Sequence, residues 1–407
     1  MTSPWLTVVG IGADGPDGLG RQALAAVAAA DILVGGARHL AMLPQDGRRH
    51  LVWRSPLTAT LAELATLSPR PVVVLASGDP LWFGVGRLLL RHFPGRQIRI
   101  VPHVSAFQEA CSRLGWALEA VRTVTVHGRP LDVLHRHLQP GRRLLALTAD
   151  GKGPAILARR LTERGYGASG LWVMEQLAGP AERIVPTTAA DIGDAGFADL
   201  NLVAVELIPA VGATALSDIP GLPDEAFEHD GQLTKAEIRA VTLAALAPLD
   251  GQLLWDVGAG AGSVAIEWLR AGQGMRAIAI ENIPDRAARI VRNAASLGVP
   301  ELEVRRGTAP DALAALADPD AIFVGGGSGA PGLVDLCWSK LRPGGRLVVN
   351  AVTVAAEAAL LAFHAAHGGK LLRLAVSRCE AMGGQQIWRP ALPVTQLSAR
   401  KPCGAAS

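Results

Sequence analysis

Residues Gly251 to Ser263, GQLLWDVGAGAGS, restrict the fold more than any other stretch of this chain. Leu253, Leu254, Trp255 and Val257 form an apolar run of strand length. Gly258, Gly260 and Gly262 follow at once, and Ser263 is positioned to cap a helix over Val264 to Arg270. A buried strand that passes through a glycine turn into a helix is the start of an α/β unit with a nucleotide-type ligand loop.

The spacing bears on which ligand. A dinucleotide loop reads G-x-G-x-x-G, so that the helix N-terminus receives a pyrophosphate. Here the pattern is G-x-G-x-G, one residue short, which suits a phosphate-free ligand such as S-adenosylmethionine (SAM). The next strand ends in Glu281, 19 residues beyond Gly262, where a carboxylate can accept from both ribose hydroxyls. SAM and NAD share that ribose. The loop favours SAM over NAD, with a tight turn that binds nothing as the third reading.

At 407 residues the chain has room for two or three domains. An apolar content of 49% with 18% charged residues describes a soluble globular protein, and no uncharged apolar run approaches the roughly 18 residues of a membrane helix. The N-terminus MTSPWLTVVG has no basic region before an apolar one, so a cytoplasmic location is expected. A net charge of +3 is too small to argue for nucleic acid. Cys111, Cys337, Cys379 and Cys403 lack C-x-x-C spacing, and His135 and His137 lie two apart on an expected solvated helix, so no metal site is indicated. The nine tryptophans are read as core residues.

The first segment also opens with a strand, glycine turn and helix: Leu6 to Val9, Gly10 to Gly15, then Leu19 to Ala30. Strands near Ile32 to Val34, Val72 to Leu75 and Ile98 to Val101 continue a parallel α/β pattern. The strand at Val72 exits into Ser77, Gly78, Asp79 and Pro80, and the strand at Ile98 into Pro102, His103, Val104 and Ser105; such carboxyl-edge loops face a ligand crevice or are ordinary turns. Strands Val121 to Val126, Arg143 to Leu147, Leu171 to Met174 and Leu200 to Val205 follow, with an amphipathic helix Lys152 to Arg164 stopped by Gly165. Residues 1–208 thus divide into two α/β lobes, 1–118 and 119–208, with a cleft between them. Residues 209–228, with Pro220 and Pro223, read as a linker.

From 229 to 407 the pattern alternates strictly. Thr234 is placed to cap a helix, with Glu237 completing a capping box. Strands Leu253 to Val257, Arg276 to Glu281, Glu301 to Arg305, Asp320 to Val324 and Arg346 to Asn350 are separated by helices. Two late strands, near Leu371 to Ser377 and Ile387 to Thr395, are expected to form a reversed edge. The fold class is α/β, ending in a doubly wound sheet of seven strands.

The stretches VVGIG (Val8 to Gly12), SGDPLWFG (Ser77 to Gly84), PHVSAFQ (Pro102 to Gln108), VHGR (Val126 to Arg129) and DGKGP (Asp150 to Pro154) resemble the tetrapyrrole methylase family, in its cobalamin-biosynthetic branch acting on precorrin-6Y. Ala13, Asp14 and Gly15 stand where many members read PGD. HDGQLTK, WDVGAGAGSVAIEW, AIENIPDRAARIVRNA, RGTAPDAL and FVGGG resemble the cobalamin-pathway enzymes that methylate and decarboxylate precorrin-6B intermediates. Together the two halves resemble the fused precorrin-6Y C-5,C-15 methyltransferases (decarboxylating). The resemblance implies a two-lobed methylase fold with SAM in the cleft between its lobes, followed by a Rossmann-like SAM methyltransferase, with methylation at C-5 and C-15, loss of the ring C acetate and precorrin-8 as product.

It also implies roles. Gly10, Gly12, Asp79 and Ser105 are expected at the first SAM site, and Thr234, Gly258, Ala259, Gly260, Ala261, Gly262, Glu281 and Ala309 at the second. Gly325, Gly326 and Gly327 replace the N/D-P-P-Y motif of base-modifying enzymes and leave room for a flat macrocycle; the alternative is a flexible turn. Arg129 and Arg239 are candidate forks for substrate carboxylates. Asp79, Arg129, His229 and Asp230 are the catalytic candidates, the last two to take the proton released on methylation. The expected partners are a tetrapyrrole and further copies of the chain, with neither nucleic acid nor membrane. Another bifunctional methyltransferase, acting on a different tetrapyrrole or on RNA, and a first unit that serves only as scaffold, are the competing readings.

Overall fold

The computed structural model describes residues 4–95, 97–194 and 196–403. The reading of the extreme N-terminus rests partly on Met1, Thr2 and Ser3, which lie outside the described residues. The chain forms two compact units, Met1–Arg129 with Gln139–Thr214, and Pro130–Leu138 with Ala215–Ser407.

The first unit holds two five-stranded sheets. One contains β1 (Leu6–Ile11), β2 (Ile32–Gly35), β3 (Arg49–Val52), β4 (Val72–Ser77) and β5 (Ile98–Val101) in the order β3-β2-β4-β1-β5, all parallel. Every residue of β1 and β2 is buried, as a parallel sheet covered on both faces requires. The other contains β6 (Val121–Thr125), β7 (Arg143–Leu147), β8 (Gly170–Glu175), β9 (Arg183–Thr188) and β10 (Asn201–Glu206) in the order β6-β7-β10-β8-β9. Only β6 and β7 run parallel there, so this lobe departs from the parallel pattern of the first. The strands that sequence patterning missed, β3 and β9, are edge strands with mostly exposed or half-buried side chains, and β9 carries Pro186, which an edge tolerates.

The second unit is built on β11 (Leu253–Val257), β12 (Arg276–Glu281), β13 (Glu303–Arg306), β14 (Ala321–Val324), β15 (Arg346–Ala351), β16 (Lys370–Leu374) and, beyond a separate hairpin of β17 (Ser377–Met382) and β18 (Gln385–Pro390), β19 (Val394–Arg400). The sheet order is β13-β12-β11-β14-β15-β19-β16. β19 lies antiparallel to both β15 and β16 and sits between them, so the reversed strand is next to the edge and β16 is the edge itself. The late region holds four strands rather than two, because the expected strand at Ile387 to Thr395 runs across the break between β18 and β19. The order reverses between β11 and β14, so the crevice where an α/β sheet takes its ligand opens at the ends of those two strands.

Both caps expected in this unit are absent. Ser263 is the first residue of its helix, and Gly262 at φ +77° makes the turn; Lys235 precedes the helix Ala236–Leu246 with no side-chain cap. Leu222 and Phe227, from the stretch read as linker, are buried in the core of this unit. His135 is also buried, its Nδ1 donating to the carbonyl of Ala295 at 2.9 Å, because the short 3-10 helix Leu131–His137 turns it inward rather than to solvent. Among the tryptophans, Trp255 and Trp268 are fully buried, whereas Trp82 and Trp388 are 44% and 73% exposed and are not core residues.

Asp256, in the middle of β11, has one carboxylate oxygen accepting from the Ala265 amide at 3.0 Å and the other buried without a partner. Burial pushes this carboxyl up to about 7; the Ala265 amide opposes the shift and the Glu281 carboxylate adds to it. A carboxyl that holds its proton more tightly folded than unfolded stabilises the fold fully below the unfolded value near 4, and that contribution is lost as pH rises toward 7. Asp256→Asn removes the ionisable group at nearly constant shape. Thermal unfolding of the variant and the natural chain at pH 5 and pH 8 is expected to show the variant gaining relative stability at pH 8, by several degrees; a pH-independent difference contradicts this account.

Candidate functional site

A cavity of about 880 Å³ opens at the switch point of the seven-stranded sheet. That is near the upper end of the roughly 300–1,000 Å³ typical of small-molecule sites. Its floor is the loop after β11. Gly258 and Gly260 have φ of +71° and +60°, a region in which an L side chain is strained. A Cβ on Gly258 would also lie 2.8 Å from the carbonyl oxygen of Gly326 and 2.9 Å from its Cα, so the loops after β11 and β14 touch backbone to backbone. The close approach explains the glycine at 258 independently of any flat ligand, whereas a Cβ on Gly326 would meet only ordinary contacts of 3.5 Å or more.

Glu281 closes one side. It is 4% exposed, and its two oxygens accept from the amides of Gly260 at 2.9 Å and Ile283 at 3.0 Å. The carboxylate therefore ties the end of β12 to the glycine loop while still lining the cavity. Behind it, Asn350 and Gln396 donate to Thr242 Oγ1 at 3.0 and 3.1 Å, and Gln396 donates to Asn350 Oδ1 at 2.9 Å. This buried set locks the helix Ala236–Leu246 to β15 and β19, satisfying polar groups that would otherwise be costly.

Thr234, Gly258, Ala259, Gly260, Glu281, Ala309, Gly325, Gly326 and Gly327 all line this cavity. Ala261 and Gly262 do not: Ala261 is buried in the core, and a Cβ on Gly262 would lie 2.7 Å from Ile290 Cγ2, so these two serve the packing of the helix behind the loop. Arg239 is fully buried and cannot reach a ligand. Its Nε donates to Glu267 at 2.5 Å, its other nitrogens bond Asp224 and the carbonyls of Thr234 and Leu222, and its plane covers Phe227 at 4.7 Å. Glu267 in turn accepts from the amides of Gly221 and Leu222 at 2.6 and 3.0 Å. Arg239 thus ties Leu222 and Asp224 to Thr234, at the end of the stretch Gly231–Thr234 that lines the cavity.

His229 and Asp230 are exposed and lie outside the cavity lining. Asp230 pairs with Arg286 at 2.9 Å and Arg289 at 3.2 Å, and the Arg286 hydrogen bond, followed by the Gln232 amide, holds its carboxyl well below the usual carboxylate range. A carboxylate held that way is a poor proton acceptor. His229 Nδ1 accepts from the Gly231 amide at 3.1 Å, as a turn residue does.

The cations that do line the cavity are Lys235, Arg286 and Arg378, none of which sequence reasoning singled out. Lys235 adjoins Thr234, and Arg286 follows Glu281 at the start of the helix Pro284–Ser296, so position beside the motifs was the available signal. Arg378 lies on the β17–β18 hairpin and had none.

In the first unit the expected residues converge less. Gly12 lines a cavity of about 70 Å³, too small as it stands for a nucleoside. Gly10 is instead required by packing, since a Cβ there would lie 2.1 Å from the Gly78 carbonyl oxygen. Asp79 accepts from the Leu81 amide at 2.8 Å, forming a turn, and Ser105 caps the helix Ala106–Leu114 in a capping box with Gln108. Neither lines that cavity. Arg129 is exposed, with its guanidinium 5.5 Å from the ring centre of Phe83, beside the half-exposed Trp82.

The glycine floor and Glu281 fit an adenosyl ligand without phosphates. Residues 5–193 match the family described as Tetrapyrrole (Corrin/Porphyrin) Methylases, and residues 225–401 the Precorrin methyltransferase domain. A Sinorhizobium protein named precorrin-6Y C(5,15)-methyltransferase (decarboxylating) is 49% identical over 400 residues, covering 98% of this chain and 97% of its own. A Salmonella typhimurium cobalt-precorrin-7 C(5)-methyltransferase is 37% identical over 191 residues, 46% of this chain and 92% of its own. A Pyrobaculum calidifontis protein named probable cobalt-precorrin-6B C(15)-methyltransferase (decarboxylating) is 39% identical over 140 residues, 33% of this chain and 71% of its own. With near end-to-end similarity on top of the two successive domain matches, the chain belongs to the precorrin-6Y C(5,15)-methyltransferase (decarboxylating) family.

Proposed function

We propose that this chain methylates a precorrin-6 macrocycle at C-5 and C-15 and removes its ring C acetate as carbon dioxide, giving precorrin-8 in cobalamin biosynthesis. The observation that carries the reading is the similarity, over 98% of the chain, to an enzyme named for those steps. We assign C-15 methylation and decarboxylation to residues 229–407, and C-5 methylation to residues 1–208, with 209–228 between them. The order of the two family matches and the names of the half-length relatives support that division.

In the second unit, Gly258, Ala259, Gly260, Glu281 and Ala309 would hold SAM, with Glu281 accepting from the ribose. When bound, SAM supplies an activated methyl on a sulfonium. Methyl transfer forms the new C–CH3 bond as the S–CH3 bond breaks, leaving a neutral thioether. The positive charge passes to the conjugated macrocycle and leaves as a proton or, at the acetate-bearing ring, through loss of the carboxylate as carbon dioxide. The protein therefore acts chiefly by alignment, and a strong base beside the reacting carbon is not required. This agrees with His229 and Asp230 lying outside the cavity. Val257, Ile280, Phe323, Leu333 and Leu336 give it apolar walls that keep water away.

Lys235, Arg286 and Arg378 would receive the macrocycle's carboxylates. They now pair with Asp224 at 3.4 Å, Asp230 at 2.9 Å and Glu237 at 2.5 Å. These pairs are partly open to solvent, and exchanging them for substrate carboxylates replaces one charge-assisted contact by another. Gly325 to Gly327 leave that approach free of side chains. We place a second SAM site in the first unit, with Arg129 near its substrate, and expect self-association, for which Trp388 and Leu392 offer exposed apolar surface. The small cavity of the first unit favours one competitor, in which that unit only recruits substrate.

Mass spectrometry of the product is expected to show two added methyl groups and one lost carbon dioxide. In the intact Gly260→Arg variant, C-15 methylation is expected to fall at least a hundredfold while C-5 methylation continues. Equal loss of both contradicts the division of labour and favours the scaffold.

A further inference from the structure

One cation in the first unit lacks an opposite charge. Arg38 follows β2 and Gly36, in the first turn of the short helix Ala37–Ala41. Its Nη2 lies 2.9 Å from His39 Nε2 and 3.2 Å from the hydroxyl of Ser77, the last residue of β4, and the same hydroxyl is 3.0 Å from His39 Nε2. Its Nη1 is buried and has no hydrogen-bond partner, and no carboxylate pairs with it among the described residues.

The neighbours do not neutralise this charge. A guanidinium only donates, so His39 Nε2 must accept, which puts the ring proton on Nδ1. Burial, and after it the Arg38 charge, push the His39 imidazole down to about 4, so the ring is neutral near pH 7. Arg38 and Ser77 line the small cavity together with Gly12, Gly78, His103 and Glu109. Glu109 bonds Arg113 at 2.9 Å, and Asp14 approaches His103 at 4.0 Å. Arg38 therefore brings to this cavity a guanidinium whose Nη1 donors have no acceptor, while Nη2 serves His39 and the Ser77 hydroxyl; Glu109 is held by Arg113, and Asp14 keeps Oδ1 buried without a partner. An unserved guanidinium edge matches a carboxylate oxygen.

We propose that Arg38, with the Ser77 hydroxyl, is a carboxylate-binding site of the first unit. The carboxylate comes either from the methionyl part of SAM or from a side chain of the macrocycle; both reactants carry that group. The proposal rests on the first unit being a methyltransferase and goes beyond it by assigning the group that positions a reactant there.

The test uses the full chain with Arg38→Gln and Arg38→Lys. Calorimetric titration is run with S-adenosylhomocysteine and with 5′-methylthioadenosine, which lacks the amino-acid carboxylate, and KM for the macrocycle is measured on C-5 methylation. If SAM supplies the carboxylate, Arg38→Gln weakens S-adenosylhomocysteine at one site at least tenfold and leaves 5′-methylthioadenosine unchanged. If the macrocycle supplies it, both titrations stay as in the natural chain and KM rises at least tenfold. In either case Arg38→Lys recovers part of the loss, and should the Gln variant fail to fold, an intermediate loss in the folded Lys variant is the reading. Affinities and KM within twofold of the natural chain overturn the site. Absence of C-5 transfer in the natural chain would instead remove the parent reading, so the two failures are distinct.

Discussion

The carboxylate of Glu281 sits at the end of a buried strand, where an acid without donors is expensive. The amides of Gly260 and Ile283 supply them, and the same two bonds hold the glycine loop against β12. The loop keeps its shape because Gly258 and Gly260 accept backbone angles that side chains resist, and because Gly258 meets Gly326 with nothing between the two backbones. Sheet order then decides what lies above this floor: with β12 on one side of β11 and β14 on the other, residues at the carboxyl ends of all three strands line the large cavity.

The wall opposite depends on a different buried charge. Arg239 and Glu267 pair out of water and between them hold three backbone groups of Gly221 and Leu222, along with the Thr234 carbonyl. Removing one partner of such a pair costs about 3–5 kcal/mol, since it strands the other charge. The arginine expected to hold substrate carboxylates thus works inside the fold, while Lys235, Arg286 and Arg378 face the ligand space.

Much of this was legible in the residues. Buried parallel strands such as β11 and β12 are written as continuous apolar runs, and Glu281 stood at the strand end where a ribose acceptor belongs. Arg239 was misread although its position carried the signal: it shares a helical face with Thr242, Leu243 and Leu246, all buried. The caps assigned to Ser263 and Thr234 failed because residues beside them, Gly262 and Lys235, took the non-helical position. Edge strands β3 and β9 gave no alternation, since neither face is consistently buried. Ala261 and Gly262 show a further limit. A motif lists neighbours in sequence, but the turn sends the first members to the ligand and the last into the core.

Both units contain a strand, glycine turn and helix, yet among the described residues the cavity at this motif is about 880 Å³ in the second unit and about 70 Å³ in the first. The central claim is that each nevertheless receives the same sulfonium donor. Calorimetric titration of the intact chain with S-adenosylhomocysteine counts those sites directly. Two molecules per chain, falling to one when Glu281 is replaced by alanine, is the expected result. One molecule or none in the natural chain, or tight capture of NAD in its place, would contradict it.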